Sequence, residues 1–127
     1  MTVIERWHEH VERGDPALLD ALIADDCVFL SPAVHSPQVG KAITLKYLRA
    51  AMTVLNGPGF RYLDQWVLAD KAVLEFEAEV DGLTVNGVDM IWWNEAGQIT
   101  RFKVMVRPLK GLNALVARMA AELQRAR

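Results

Sequence analysis

Among 127 residues there is one cysteine, Cys27, and no apolar run that approaches a membrane span. A lone cysteine excludes an internal disulfide and any cysteine-cluster metal site. Its neighbours Val28 and Phe29 mark it as a buried thiol rather than a nucleophile. A spanning helix needs roughly 18 or more consecutive apolar residues, and charge interrupts every stretch here. Glu5, His8, Glu9 and His10 stand where a secretory signal would need unbroken apolar sequence. A cytoplasmic protein without membrane attachment is therefore expected. Positive charge is not in excess either: 14 Lys and Arg face 16 Asp and Glu, a net of −2. Nucleic acid needs a basic stripe, so it is not an expected partner. His8 and His10 are two apart on a helical segment and point to different sides, which leaves no expected metal site and no expected cofactor.

What is present is an ordinary globular composition, 52% apolar and 24% charged, enough to bury the core of one domain spanning 1–127. Val3, Ile4, Trp7 and Val11 predict an amphipathic helix over 3–13 that stops at Gly14. Asp15-Pro16 supplies an N-cap and a first-turn proline for a short second helix with Leu18, Leu19, Leu22 and Ile23 inside, ended by Asp25-Asp26. Cys27 to Leu30 reads as a strand closed by Ser31-Pro32, and Pro32 to Gly40 as a loop carrying His35. Ile43, Tyr47, Leu48, Ala51, Met52 and Leu55 define a third helix over 41–55, broken by Asn56-Gly57-Pro58-Gly59. The period then changes to two. Runs at 60–68, 72–80, 83–93 and 99–107, joined by short turns, predict an antiparallel meander. Leu112, Leu115, Val116, Met119 and Leu123 give a last amphipathic helix. Helices followed by a curled sheet predict an α+β cone whose apolar sheet face wraps the N-terminal helices.

Alternation assigns faces. In 72–80, Ala72, Leu74, Phe76, Ala78 and Val80 share one side, while Glu75, Glu77 and Glu79 share the other, a row of like charges that wants water. In 83–93, Asp89 is the only charge and shares its face with Val85, Gly87, Ile91 and Trp93. A carboxyl held in apolar surroundings resists ionisation and can donate or accept a proton near neutrality. Its partner depends on register. A three-residue turn Glu95-Ala96-Gly97 sets Asp89 opposite Lys103, as an ion pair; a two-residue turn sets it opposite Val104, among Phe102 and Val106. Trp7, Phe29, Phe76, Trp93 and Phe102 all fall on inward faces, either lining a cavity for a small apolar or aromatic ligand or filling the core. His35, near the expected mouth, is the one histidine that could serve as a catalytic base. Val88, Met90, Trp92 and Met105 fall on the convex side, an apolar patch that predicts a homodimer through that face.

Glu12-Arg13-Gly14-Asp15, Leu22-Ile23-Ala24-Asp25-Asp26, Ser31-Pro32, and Val88-Asp89 through Asn94-Glu95-Ala96-Gly97-Gln98-Ile99 occur in an order that resembles the SnoaL-like, nuclear-transport-factor-2-like superfamily. Val104-Met105-Val106-Arg107-Pro108-Leu109 resembles a branch of it without an assigned function. The resemblance implies a cystatin-like cone and relatives among ketosteroid isomerases and polyketide cyclases. Carried over by position, the isomerases' protonated oxyanion-hole aspartic acid falls on Asp89, their tyrosine donor on Trp7, and their general-base aspartate on Ser31. A serine without a neighbouring base cannot take a proton from carbon, so efficient ketosteroid isomerisation is not expected. No histidine stands where the cyclase pattern implies one in 72–80. The resemblance implies a cofactor-independent isomerase, cyclase or hydrolase with Asp89 as acid/base, Trp7 and Ser31 orienting the substrate and His35 assisting. A non-catalytic binder of hydrophobic ligands, or a dimerising module with a filled cone, are the alternatives.

Overall fold

A computed structural model describes residues 1–125. The chain begins with α1 (Val3–Arg13), whose first turn is closed by a capping box: Glu5 N–H donates to Thr2 Oγ1, and Thr2 N–H donates to Glu5 Oε1. Gly14 ends it at φ 63°, a left-handed conformation that glycine adopts without a Cβ penalty. Asp15 caps α2 (Pro16–Leu22) by accepting from Ala17 N–H at 2.9 Å. The sequence placed Ile23 inside this helix and began the strand at Cys27. In the structure the helix ends at Leu22 and β1 spans Ile23–Leu30, with Asp25 and Asp26 exposed within the strand. The β-branched, fully buried Ile23 starts the strand, where it pairs with Ile99.

A two-residue strand β2 (Gln38–Val39), too short to show in the pattern, pairs with β1 and leads into α3 (Lys41–Leu55). The meander follows as β3 (Arg61–Val67), β4 (Lys71–Val80), β5 (Leu83–Trp93) and β6 (Ile99–Arg107), and α4 (Leu109–Arg125) ends the described chain. The sheet order is β2-β1-β6-β5-β4-β3, with β1 and β6 parallel and the other pairs antiparallel. This curved six-strand sheet packs on the N-terminal helices, the α+β architecture expected.

The turn between β5 and β6 combines both anticipated geometries. Asn94 N–H donates to Gln98 O, and Gly97 adopts φ 75°, so the loop is the three-residue form. A bulge between Trp92 and Trp93 then shifts the ladder by one, and Asp89 stands opposite Val104 while Lys103 pairs with Met90. The ion pair with Lys103 is thereby excluded, and Asp89 faces inward. Two apolar clusters form the core. One gathers Trp7, Phe29, Leu48, Leu74, Ile91 and Phe102 between α1, α3 and the sheet; the other gathers Ala78, Val80, Val85 and Leu115 beneath α4.

Candidate active site

Between these clusters lies a cavity of about 250 Å³. Sheet residues Phe29, Phe76, Phe102 and Val104 form one wall, and Trp7, α3 and α4 close it with Leu48, Met52, Leu55, Leu115 and Met119. Among the described residues no histidine, cysteine, lysine, arginine or glutamate lines it, and Asp89 is the one charged side chain in its wall.

Asp89 owes its place to β5 alternation, which puts it on the same side as buried Val85 and Ile91. It is only 8% exposed. Tyr62 O–H donates to Asp89 Oδ2 at 2.9 Å, and Trp7 Nε1–H donates to the Tyr62 oxygen at 2.9 Å. Burial pushes the Asp89 carboxyl up to about 7, and the Tyr62 bond offsets only part of that. Burial, followed by the nearby Asp89 charge, lifts the Tyr62 phenol well above its ordinary range, so the phenol keeps its proton. Among the described residues Oδ2 is the carboxyl oxygen with a hydrogen-bond partner, and the other oxygen is available to a molecule in the cavity.

Tyr62, the hydrogen-bond partner of Asp89 in the cavity wall, is the residue that the sequence did not single out. Its strand alternates badly because Leu63 is bulged: Tyr62 pairs with Phe76, but the next pair is Asp64 with Glu75. The bulge lets Tyr62 and Gln65 share the inner side while Trp66 turns outward opposite Val73. The available signal was an aromatic with a hydroxyl in an edge strand next to the inward face of 72–80.

Gly87, two residues before Asp89 on the same face, makes room for the aromatic wall. A Cβ there would lie 2.6 Å from the Phe76 ring and 2.6 Å from the Met105 carbonyl oxygen. Phe76 therefore rests against bare backbone, with Phe60 stacked on it at 5.8 Å and Tyr62 edge-on to Phe60 at 5.2 Å.

Trp7, Phe29, Ser31, Phe76, Phe102 and Val104 all line the cavity with Asp89. The Trp7 indole N–H is engaged by Tyr62, while its ring remains part of the cavity wall. Ser31 accepts from Ala33 N–H at 3.0 Å and brings no carboxyl to the position implied for a general base. Two of the expected residues lie outside the cavity wall. Trp93 packs against the first core cluster and is absent from the cavity wall, because it is the last residue of β5 and pairs with Ile99 at the end of the ladder. His35 is exposed on its loop, in a separate groove with Arg101 and Lys103, and does not share the Asp89 cavity. No groups of three or more His, Cys, Asp or Glu suited to a metal ion occur among the described residues.

The family model for the SnoaL-like domain matches residues 4–102, and the chain belongs to this family, whose members include isomerases and cyclases. A structure described as a steroid delta-isomerase from Pseudomonas aeruginosa is similar at 36% identity and a TM-score of 0.91, covering 98% of this chain and 90% of that one. An uncharacterised protein with a cystatin-like fold from Silicibacter pomeroyi DSS-3 matches at 34% identity and a TM-score of 0.86, over 94% of this chain and 83% of that one. A de novo designed protein with a curved β-sheet shares the fold alone, at 15% identity and a TM-score of 0.71, over 91% of this chain and 94% of that one. No curated protein matches. Among the described residues no helix is long and apolar enough to cross a membrane.

Proposed function

We propose that the protein is a cofactor-independent small-molecule enzyme in which Asp89 is acid and base toward an apolar carbonyl- or epoxide-bearing substrate. The observation that carries this reading is a lone buried carboxyl in an aromatic cavity, held by the Trp7 to Tyr62 to Asp89 hydrogen-bond chain. Near pH 7 such a group populates both protonation states, so it can take a proton from one substrate atom and return it to another. Isomerisation suits a site with one acid/base group, and the similarity to a protein described as a steroid delta-isomerase supports that direction. Ser31, where the resemblance implies a second carboxylate, argues for a route through Asp89 alone.

Non-catalytic binding is the second reading, favoured by the absence, among the described residues, of a further acid/base side chain beyond the tyrosines in the cavity wall. A panel of β,γ-unsaturated ketones and epoxides separates the two. Turnover by the native protein that disappears in Asp89→Asn while ligand binding persists supports the enzyme. Binding of the panel by native protein without any conversion supports the binder.

A homodimer through the convex sheet face is part of the proposal. Val73, Val88, Met90 and Met105 form an apolar stripe there, and Met105 is 48% exposed. Light scattering on native protein and Met105→Lys tests it: a dimer that becomes a monomer is expected, and a native monomer contradicts it.

A further inference from the structure

The cavity-facing stripe of α4 changes character along its length. Leu115, Val116, Met119, Ala120 and Leu123 all line the cavity. Leu115 is buried, Val116, Met119 and Leu123 are half-buried, and Ala120 is exposed. The first turns are fixed in place. Gly111 lies so close to β5 that a Cβ would meet Val85 Cγ1 at 2.6 Å, and Arg118 reaches Asp81 on the β4–β5 turn at 2.7 Å. Beyond Arg118, among the described residues, no hydrogen bond or ion pair joins α4 to another element; Arg125 pairs only with Glu122 of the same helix.

The two ends of the cavity also differ in chemistry. Tyr62, the partner of Asp89, packs against the first cluster, which holds Trp7 and Phe102, whereas Leu55 and Met119 pack against the second, and Phe60 bridges the two. Asp89 stands four residues along β5 from Val85, where α4 is anchored, roughly 13 Å at strand rise. A ligand whose polar group sits at Asp89 therefore sends its apolar remainder toward α4. The family model's match ends at residue 102, ahead of α4.

We infer that Met119, Ala120 and Leu123 are the specificity-determining wall of the cavity and set the length of the apolar tail that a one-headed ligand can carry. This rests on the reading that the cavity binds an apolar ligand through Asp89. It assigns the substrate class further: a molecule with one hydrogen-bonding head and an unbranched or flat apolar body that ends against α4.

The test is calorimetric titration at pH 8.5 with 4-ethylphenol and 4-pentylphenol, whose hydroxyl can donate to ionised Asp89. Native protein is expected to bind the longer phenol about tenfold or more tightly than the shorter one, because three further methylenes are buried. In Ala120→Trp, at a position exposed enough to spare the fold, the longer phenol is expected to weaken by about tenfold or more as the rim fills. The shorter one should keep its affinity within about twofold, since it does not reach α4. Met119→Ala should in turn extend binding to 4-heptylphenol. If native protein binds both phenols and Ala120→Trp weakens both alike or neither, the role of α4 is overturned while the binding reading stands. If native protein binds neither phenol, the binding reading falls and this inference with it.

Discussion

The two faces of β5 put the same chemistry to opposite use. On the concave face the single carboxyl of Asp89 shares its side of β5 with Val85, Gly87 and Ile91 and is reached by one tyrosine hydroxyl. On the convex face, one rung away, Glu75 takes a hydrogen bond from Asn86, Glu77 pairs with Arg61 at 2.7 Å, and the Arg101 guanidinium lies 4.8 Å from the Trp92 ring. The outer charges are partnered and washed by water, where such pairs contribute little. The inner charge is costly, and a costly group retained in a cavity is what supports the role proposed for it. What separates the faces is pleat parity, so a one-residue shift in register would exchange them.

The largest expected break in this contrast is Asp89→Asn. Folding raises the Asp89 carboxyl from 3.8 to about 7, so the folded protein holds a proton that the unfolded chain releases between those values. Stability from this group is full below about pH 4 and is lost as pH rises through 7. Above pH 7 the native protein carries a penalty on the order of 4 kcal/mol, and the asparagine variant should recover about 2–4 kcal/mol of it in urea unfolding at pH 8.5. His10, buried and with Nδ1 unpartnered, acts in the other direction: burial lowers its pKa, so stability falls in acid as the unfolded chain protonates below 6.5. The variant should keep that acid-side loss and lose the loss on the alkaline side.

Gly87→Ala is next. Its Cβ would meet a backbone carbonyl and the Phe76 ring, so a cost of about 1–3 kcal/mol is expected in denaturant midpoint, with the aromatic wall pushed into the cavity. Tyr62→Phe should cost about 1–2 kcal/mol, since Trp7 Nε1–H loses its acceptor and Asp89 its donor. It should also move the Asp89 midpoint above 7, read by carboxyl-carbon NMR. The smallest effect belongs to the convex face: Glu77→Gln should change stability by less than about 0.5 kcal/mol at any pH from 5 to 9.

Much of this was legible in the sequence because period and caps are local. The helix at 3–13, its stop at Gly14 and the meander follow from spacing and turn residues that tertiary packing did not override. Asp89 stood out as the one charge in an apolar alternation. What escaped was set by bulges and by neighbours distant in sequence. The Trp92–Trp93 bulge decided between Lys103 and Val104 as the partner of Asp89, and the Leu63 bulge concealed Tyr62, 27 residues away from the carboxyl it serves. An extra residue in a strand leaves no compositional mark. The place of His35 escaped for a related reason: its loop begins beside the cavity at Ser31, but His35 opens onto the neighbouring groove, a divergence that chain position does not reveal.

The most direct test of the central claim is a carboxyl-carbon NMR titration of Asp89 in the native protein. A midpoint near 7, moving upward in Tyr62→Phe, is the predicted result. A midpoint near 3.8 would mean that Asp89 meets water or a cation, and would contradict the account of a buried acid/base group.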